Sequence, residues 1–414
     1  MYKECSEVSK KKLEKIGGSN LKVVYILPTS VGGLPHYAAE LANAVANYID
    51  VIVIKPTKTT ADNIFSERVK VINAFKPFTI SFANLAKRNL SFVSIKNMIS
   101  YNNIKIIKEI NPDIIHFAAD INPILEIFTW LHKLDLKYHI VVTYHDYIPK
   151  RKNILRRGEN FEVETSFLIE TAYNIINILN LLKPEIKKSG IIVHTKKVKE
   201  KLIRSGVSAD RIYIIPHGVY TCFRELNRVR SINEENNCIL FFGNIVPVKG
   251  LDTLIEAIPI ITKEIVNVKL IIAGDGAIPK KCWKIINKYR SNFEIHNYFI
   301  PNEKVWEFFS RANIVVIPNK RQDGHSGSLT IAYSFGKPVV TTNVGEFPLL
   351  VEKAGCGLVV PPNNPKALAE AIIEILENYK LRKKMSKNAL KMAEKISWNE
   401  IAKKYIRVYE KILD

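Results

Sequence analysis

Along the chain, short apolar runs rich in Val, Ile and Phe alternate with longer segments in which apolar residues return every three or four positions. A short continuous apolar run suits a strand covered on both faces, and the longer period suits an amphipathic helix. Their alternation is the pattern of stacked βαβ units around a parallel sheet. It occurs twice. The first series predicts strands at 22–28, 50–54, 69–73, 113–117, 139–144, 190–194 and 211–216. The second predicts them at 238–243, 268–274, 294–299, 313–318, 338–342 and 357–361.

The expected fold is α/β, with two doubly wound Rossmann-like domains. Between the two series, "TCFRELNRVRSINEENN" is polar and almost without an apolar period, which marks a linker at 221–237. The expected division is a basic extension at 1–20, a first domain at 21–220, the linker, a second domain at 238–396 and a last helix at 397–414. In that helix Trp398, Ile401, Tyr405, Ile406, Tyr409 and Ile412 fall close to a 3.6 period. Doubly wound domains bind ligands at the carboxyl ends of their strands. Chemistry is therefore expected where two such ends face each other.

Composition narrows the class. At 414 residues the chain exceeds one ordinary core, and 47% apolar with 24% charged residues suits a folded, non-fibrous protein. No apolar run approaches the roughly 20 residues a membrane-spanning helix needs. The first residues lack an apolar core followed by a small-residue cleavage site, so the expected location is cytoplasmic, with peripheral attachment to the inner membrane face as a further expectation. Cys5, Cys222, Cys238, Cys282 and Cys356 are scattered and without metal spacing, and are expected to be free packing thiols. No metal or cofactor is expected.

The net charge of +21 calls for an anionic partner, which nucleic acid, an acidic membrane face or a phosphate-bearing substrate would each satisfy. Between Val69 and Lys108 there is no acid, while seven cations alternate with Phe75, Phe78, Phe82, Phe92 and Tyr101. Such a stretch suits an anionic membrane surface. It suits equally a solvated basic face with its aromatics turned inward. No nucleic-acid reading element is present, so only weak, salt-sensitive association with nucleic acid is expected.

Four glycine turns at strand ends carry the candidate chemistry. Gly32 and Gly33 follow the first strand, before a helix that Pro35 can start. Gly243 ends the first strand of the second series, and Lys249 with Gly250 precedes a helix at Leu251. Gly274, Asp275 and Gly276 form the third turn. In the fourth, Ser326, Gly327 and Ser328 open a helix that Ser326 can cap. Glycines let the backbone approach a ligand, and open helix amides attract an anion. A lysine beside them can hold a phosphate.

In order, "GGLPHYAAELANAVA", "NPDIIHF", "VVTYHDYIP", "IIVHTKKVKEKL", "IIPHGV", "FFGNIVPVKGLDTLIEAI", "IIAGDG" and "HSGSLTIAYSFGKPVVTTNVG" resemble the retaining nucleotide-sugar glycosyltransferases of family 4. The resemblance covers about Leu21 to the end of the chain. It implies the GT-B fold, a last helix crossing back to the first domain, and metal-independent transfer from a nucleoside-diphosphate sugar. The acceptor would be a glycan or a lipid-linked glycan in surface polysaccharide, glycolipid or glycan assembly.

Position by position, the resemblance places Gly33 at the diphosphate or the forming bond and Lys249 on phosphate. Asp323 matches the first acid of the paired-glutamate motif, and His145 the T-x-H histidine that meets sugar or acceptor hydroxyls. The implied donor-binding set adds Gly32, Gly243, Asn244, Gly274, Asp275 and Gly276 to Lys249. It continues with Arg321, Ser326, Gly327, Ser328, Leu329 and Ile331. Three positions depart from the pattern: Ile331 stands for the second acid, Asn244 for an arginine, and Ala118 for a histidine. Lys320 and Arg321 are candidates to replace that arginine, or else a solvated loop pair. His116 reads as a core residue and His217 as a turn residue. A non-catalytic sugar-nucleotide binder, or another GT-B enzyme such as an epimerase or phosphorylase, remains open beside the transferase.

Overall fold

In the computed structural model the described residues are 21–77, 97, 99–119, 123–145, 186–225, 234–322 and 324–414. They fall into two compact units. One comprises Met1–Pro216 with Trp398–Asp414, the other His217–Ser397. The calls on the basic extension, Cys5, Phe78, Phe82, Phe92 and Asp323 lie outside the described residues.

The first unit is built on β1 (Lys22–Ile26), β2 (Asp50–Pro56), β3 (Lys70–Phe75), β4 (Ile114–Phe117), β5 (His139–Tyr144), β6 (Gly190–Val193) and β7 (Ile212–Ile214). They form one parallel sheet in the order β3-β2-β1-β4-β5-β6-β7. The centre of the sheet is buried on both faces, as the continuous apolar runs require: all four residues of β4 and of β6 are buried. Between β1 and β4 the winding reverses.

The helix Gly33–Val45 follows β1, and Trp398–Leu413 packs along it within this unit. Their contact is sealed by a buried polar network. Tyr37 and Tyr405 share a hydrogen bond between hydroxyls. Tyr25 and Tyr409 do the same at 2.7 Å. His116 lies fully buried, its Nδ1 2.6 Å from the Tyr409 hydroxyl and its Nε2 2.8 Å from Thr143 Oγ1. The core reading of His116 holds. Burial pushes its pKa down to about 3, so the ring is neutral and both nitrogens serve as hydrogen-bond partners.

The second unit carries β8 (Cys238–Phe242), β9 (Lys269–Ala273), β10 (Phe293–His296), β11 (Ile314–Ile317), β12 (Val339–Thr342) and β13 (Gly357–Val360). The parallel order is β10-β9-β8-β11-β12-β13, with the reversal between β8 and β11. Its core gathers Leu254, Ile255 and Ile258 of the helix Leu251–Glu264 with Leu368, Ile372 and Ile375 of the helix Pro365–Glu377 against the sheet. Cys222, Cys238, Cys282 and Cys356 are free and buried. Burial raises the thiol of Cys238 to about 12, so it behaves as a packing group.

Every strand expected from the apolar runs is present, and the doubly wound class is the observed one. Two local expectations need correction. The helix after β1 begins at Gly33, so Pro35 sits at its third position, where its missing N–H is still one of the unpaired ones. Ser326 occupies the N-cap position of the helix Gly327–Ser334, but its side chain makes no capping hydrogen bond.

Candidate functional site

In the first unit the candidate residues gather at the carboxyl ends of β1 and β5. Gly32 has φ of 86° and heads the helix Gly33–Val45, whose first turn carries no acid. The Gly32–Gly33 pair is exposed. A side chain at Gly32 would meet no neighbour, so its backbone conformation alone calls for glycine. His36 donates from Nδ1 to the Gly32 carbonyl at 2.9 Å, which fixes the turn.

His145 follows β5 directly. Its Nε2–H donates to the Ala118 carbonyl at 3.1 Å, which makes Nδ1 the acceptor of the neutral ring. Burial pushes its pKa down to about 4. At neutral pH it is therefore a hydrogen-bonding group without a positive charge, suited to a sugar hydroxyl. Ala118, where a histidine was expected by resemblance, contributes its backbone oxygen to orient His145. The ring of Tyr37 stands edge-on to His145 at 4.4 Å, and that of His194 lies at 4.8 Å. Tyr37 and His194 fall inside the stretches "GGLPHYAAELANAVA" and "IIVHTKKVKEKL" without being singled out there; a further signal for His194 is its place directly after β6, matching that of His145 after β5.

In the second unit three turns meet at the reversal between β8 and β11. Ser328 Oγ donates to the Phe242 carbonyl at 2.8 Å. A Cβ added to Gly243, with φ of 123°, would lie 3.4 Å from that hydroxyl. The end of β8 and the start of the helix Gly327–Ser334 are thus in contact. Gly274 and Gly276 have a steric role: a Cβ would stand 1.9 Å from the Gly243 carbonyl oxygen and 2.1 Å from that of Ile245 respectively. Ile245 N–H donates to the Asp275 carbonyl at 2.7 Å, which zips the two turns together.

Lys249 ends a short 3₁₀ turn, Pro247–Lys249, and is half-buried, while Asn244 is exposed. Gly250, with φ of 67°, brings the backbone so close to the segment after β11 that a Cβ would stand 2.0 Å from the Pro318 carbonyl oxygen. Lys320 then donates from its backbone N–H to the Val248 carbonyl at 2.8 Å. Its ammonium lies 2.8 Å from Asp252, which Lys281 also reaches at 3.1 Å. Burial works to raise the Asp252 pKa, but hydrogen bonds from these two lysines outweigh it and the carboxylate is held low. Lys320 is therefore ion-paired with Asp252. Arg321 is exposed.

On either side of Asp323 the loop is braced by Gln322. Its Nε2 donates to the carbonyls of Gly324 at 2.8 Å and His325 at 3.1 Å, and its Oε1 accepts from Asn319 at 2.5 Å. His325 stacks on His217 with ring centroids 4.1 Å apart. His217 accepts at Nε2 from the Tyr220 hydroxyl at 3.3 Å, and Tyr220 faces Gly327, 3.4 Å from where its Cβ would stand. His217 is thus a buried part of this cluster, beyond the turn role expected of it. Leu329 and Ile331 are buried, so of Leu329 only the backbone is available to a ligand.

Comparison with known proteins decides the family. Glycosyltransferase Family 4 matches residues 31–222, and Glycosyl transferases group 1 matches residues 223–392. The chain belongs to glycosyltransferase family 4. An uncharacterized glycosyltransferase of Methanocaldococcus jannaschii is 32% identical over 226 residues, 54% of this chain and 60% of that one. The chain thus spans about 60% of the length of that curated relative. The crystal structure of a glycosyltransferase from Rickettsia africae superposes with a TM-score of 0.65 at 18% identity, covering 96% of this chain and 99% of the other. Anabaena HepE, solved in complex with UDP-glucose, superposes with a TM-score of 0.62 at 15% identity, covering 94% of this chain and all of the other. At such identities the likeness carries the fold, which is GT-B.

Proposed function

We propose that this protein transfers a sugar, with retention, from a nucleoside-diphosphate donor to an acceptor hydroxyl. The observation that carries the reading is the contact of the Gly243 turn with the start of the helix Gly327–Ser334. The start of that helix presents the backbone N–H groups of Gly327 and Ser328 at the reversal of a parallel sheet, with Lys249 on the neighbouring turn. That chemistry suits a diphosphate, and the complex of HepE with UDP-glucose supports the donor class.

In this reading Lys249 and the amides of Gly327 and Ser328 neutralise the departing diphosphate, which lowers the barrier to breaking the bond from the anomeric carbon to phosphate oxygen. The acceptor oxygen bonds to that carbon on the same face. Its proton passes to the departing phosphate oxygen. Asp323 faces the donor sugar, and neutral His145 holds a sugar or acceptor hydroxyl. Gly33 leaves room at the forming bond. Asn244, Gly274, Asp275, Gly276, Arg321 and Leu329 complete the proposed donor contacts, and no metal takes part. The proposed acceptor is a glycan, free or lipid-linked, handled in the cytoplasm.

A second reading, a sugar-nucleotide binder without turnover, is favoured by one observation. Ile331 is buried where the family places a ribose-clamping acid. Loss of one charged hydrogen bond weakens binding by about one to two decades, which still permits a working donor site. Incubation with radiolabelled nucleotide sugars, with EDTA present, tests both. Release of nucleoside diphosphate with label on an acceptor supports transfer; saturable binding with no product supports the binder.

A further inference from the structure

The first unit exposes large apolar side chains in one neighbourhood. Trp130 is 51% exposed, Leu131 54%, Leu136 75% and Ile99 60%. The helix Pro123–Leu131 packs both on the turn Ser100–Ile106, which Ile99 precedes, and on the short helix Leu134–Lys137, so the elements that carry these residues adjoin. His132 ties them together, donating from Nε2 to Asn102 Oδ1 at 2.8 Å.

The charges on this surface are of one dominant sign. Lys105, Lys108, Lys133 and Lys137 are exposed around the apolar residues. Burial, then the positive charge of Lys108 and Lys105, hold the His132 pKa down, which places those two lysines beside it. Two of the acids in these elements are withdrawn: Glu126 is buried against Lys188 at 3.2 Å, and buried Asp135 accepts from the Lys187 backbone at 3.3 Å. Glu109 is the exposed exception.

An exposed tryptophan and leucines ringed by lysines match the layered chemistry of a bilayer surface, in which apolar groups enter between headgroups and cations meet anionic lipid. We propose that the surface of Ile99, Trp130, Leu131 and Leu136, with Lys105, Lys108, Lys133 and Lys137, docks on an anionic lipid bilayer. Residues 130–137 lead into the amino end of β5, whereas Gly33 and His145 stand at the carboxyl ends of β1 and β5. Docking through this surface leaves the candidate residues of the unit accessible. The proposal stands apart from the transfer reading, because it is read without donor or acceptor.

The test is co-sedimentation of the full chain with phosphatidylcholine vesicles, with and without phosphatidylglycerol. Binding is expected with phosphatidylglycerol and expected to fall with salt. Lys133→Ala combined with Lys137→Ala should weaken it roughly tenfold or more, and Trp130→Ala combined with Leu136→Ala should also weaken it. These residues are exposed, so circular dichroism should be unchanged in both variants. Brominated lipid should quench the wild-type fluorescence more than that of Trp130→Phe. Equal binding with and without phosphatidylglycerol, or binding indifferent to both double substitutions, overturns the proposal. So does conversion of a dimer to a monomer by Trp130→Ala/Leu136→Ala with vesicle binding intact, since the surface would then join two copies.

Discussion

The side chain of Ser328 reaches the last residue of β8, donating from Oγ to the Phe242 carbonyl at 2.8 Å. That bond joins residues far apart in sequence and brings the turn at Gly243 against the first turn of a helix from the other side of the sheet's reversal point. The donor site we propose is a consequence of this one junction. The fold supplies a parallel sheet with its reversal, and the small residues at Gly243 and Ser328 let two backbones meet there.

The glycines around the junction are steric requirements. Gly274→Ala sets a methyl 1.9 Å from the Gly243 carbonyl oxygen and forces the two turns apart. A loss of about 1–3 kcal/mol is expected from such overpacking, measured by urea denaturation. Nucleotide affinity should fall with it, because the displaced turn carries Gly243. Gly32→Ala differs, since nothing lies within 4 Å of its Cβ and its cost is backbone conformation alone.

In the proposed donor site Lys249 holds phosphate. Lys249→Ala should weaken UDP or GDP binding about 10- to 100-fold, the range for losing one charge-assisted hydrogen bond. Isothermal titration calorimetry gives the affinity.

The seam between the helices Gly33–Val45 and Trp398–Leu413 depends on buried hydroxyls. Tyr409→Phe removes the partner of both Tyr25 and His116 Nδ1. A destabilisation of about 1–3 kcal/mol is expected for the groups left unpaired. Chemical denaturation measures it, and Tyr48→Phe, at an exposed hydrogen bond to Asn399, provides a control expected to cost less.

The same seam responds to acid. The folded-state pKa of His116 lies at about 3 against an ordinary 6.5, so the unfolded chain binds the proton more readily. Its contribution is fully present above pH 6.5 and is lost as pH falls toward 3, by up to about 1.4 kcal/mol per pH unit. His145, held near 4, acts in the same direction. Denaturation midpoints between neutral and acid pH should therefore fall, and His116→Gln should flatten the slope even though it is less stable at neutral pH.

The strands and their parallel class were legible because a strand buried on both faces leaves an unbroken apolar run, as in "CILFF" and "IVVI". The glycine turns were legible because a positive φ or a close backbone approach singles out one residue type. The partners of the polar side chains were not. No local pattern marks that His145 is held by the Ala118 carbonyl, that His217 stacks on His325, or that Lys320 is taken by Asp252. Each pairs residues that only the completed fold brings together. The cap at Ser326 misled for a related reason: residue type at the N-cap permits a bond, but the side-chain orientation adopted in the folded loop decides whether it forms.

The most direct test of the account is a crystal of the protein soaked with UDP or GDP. The diphosphate is expected against the amides of Gly327 and Ser328, with the Lys249 ammonium in contact with a phosphate oxygen. Nucleotide bound elsewhere, or that place left empty at concentrations that saturate binding in solution, would contradict it.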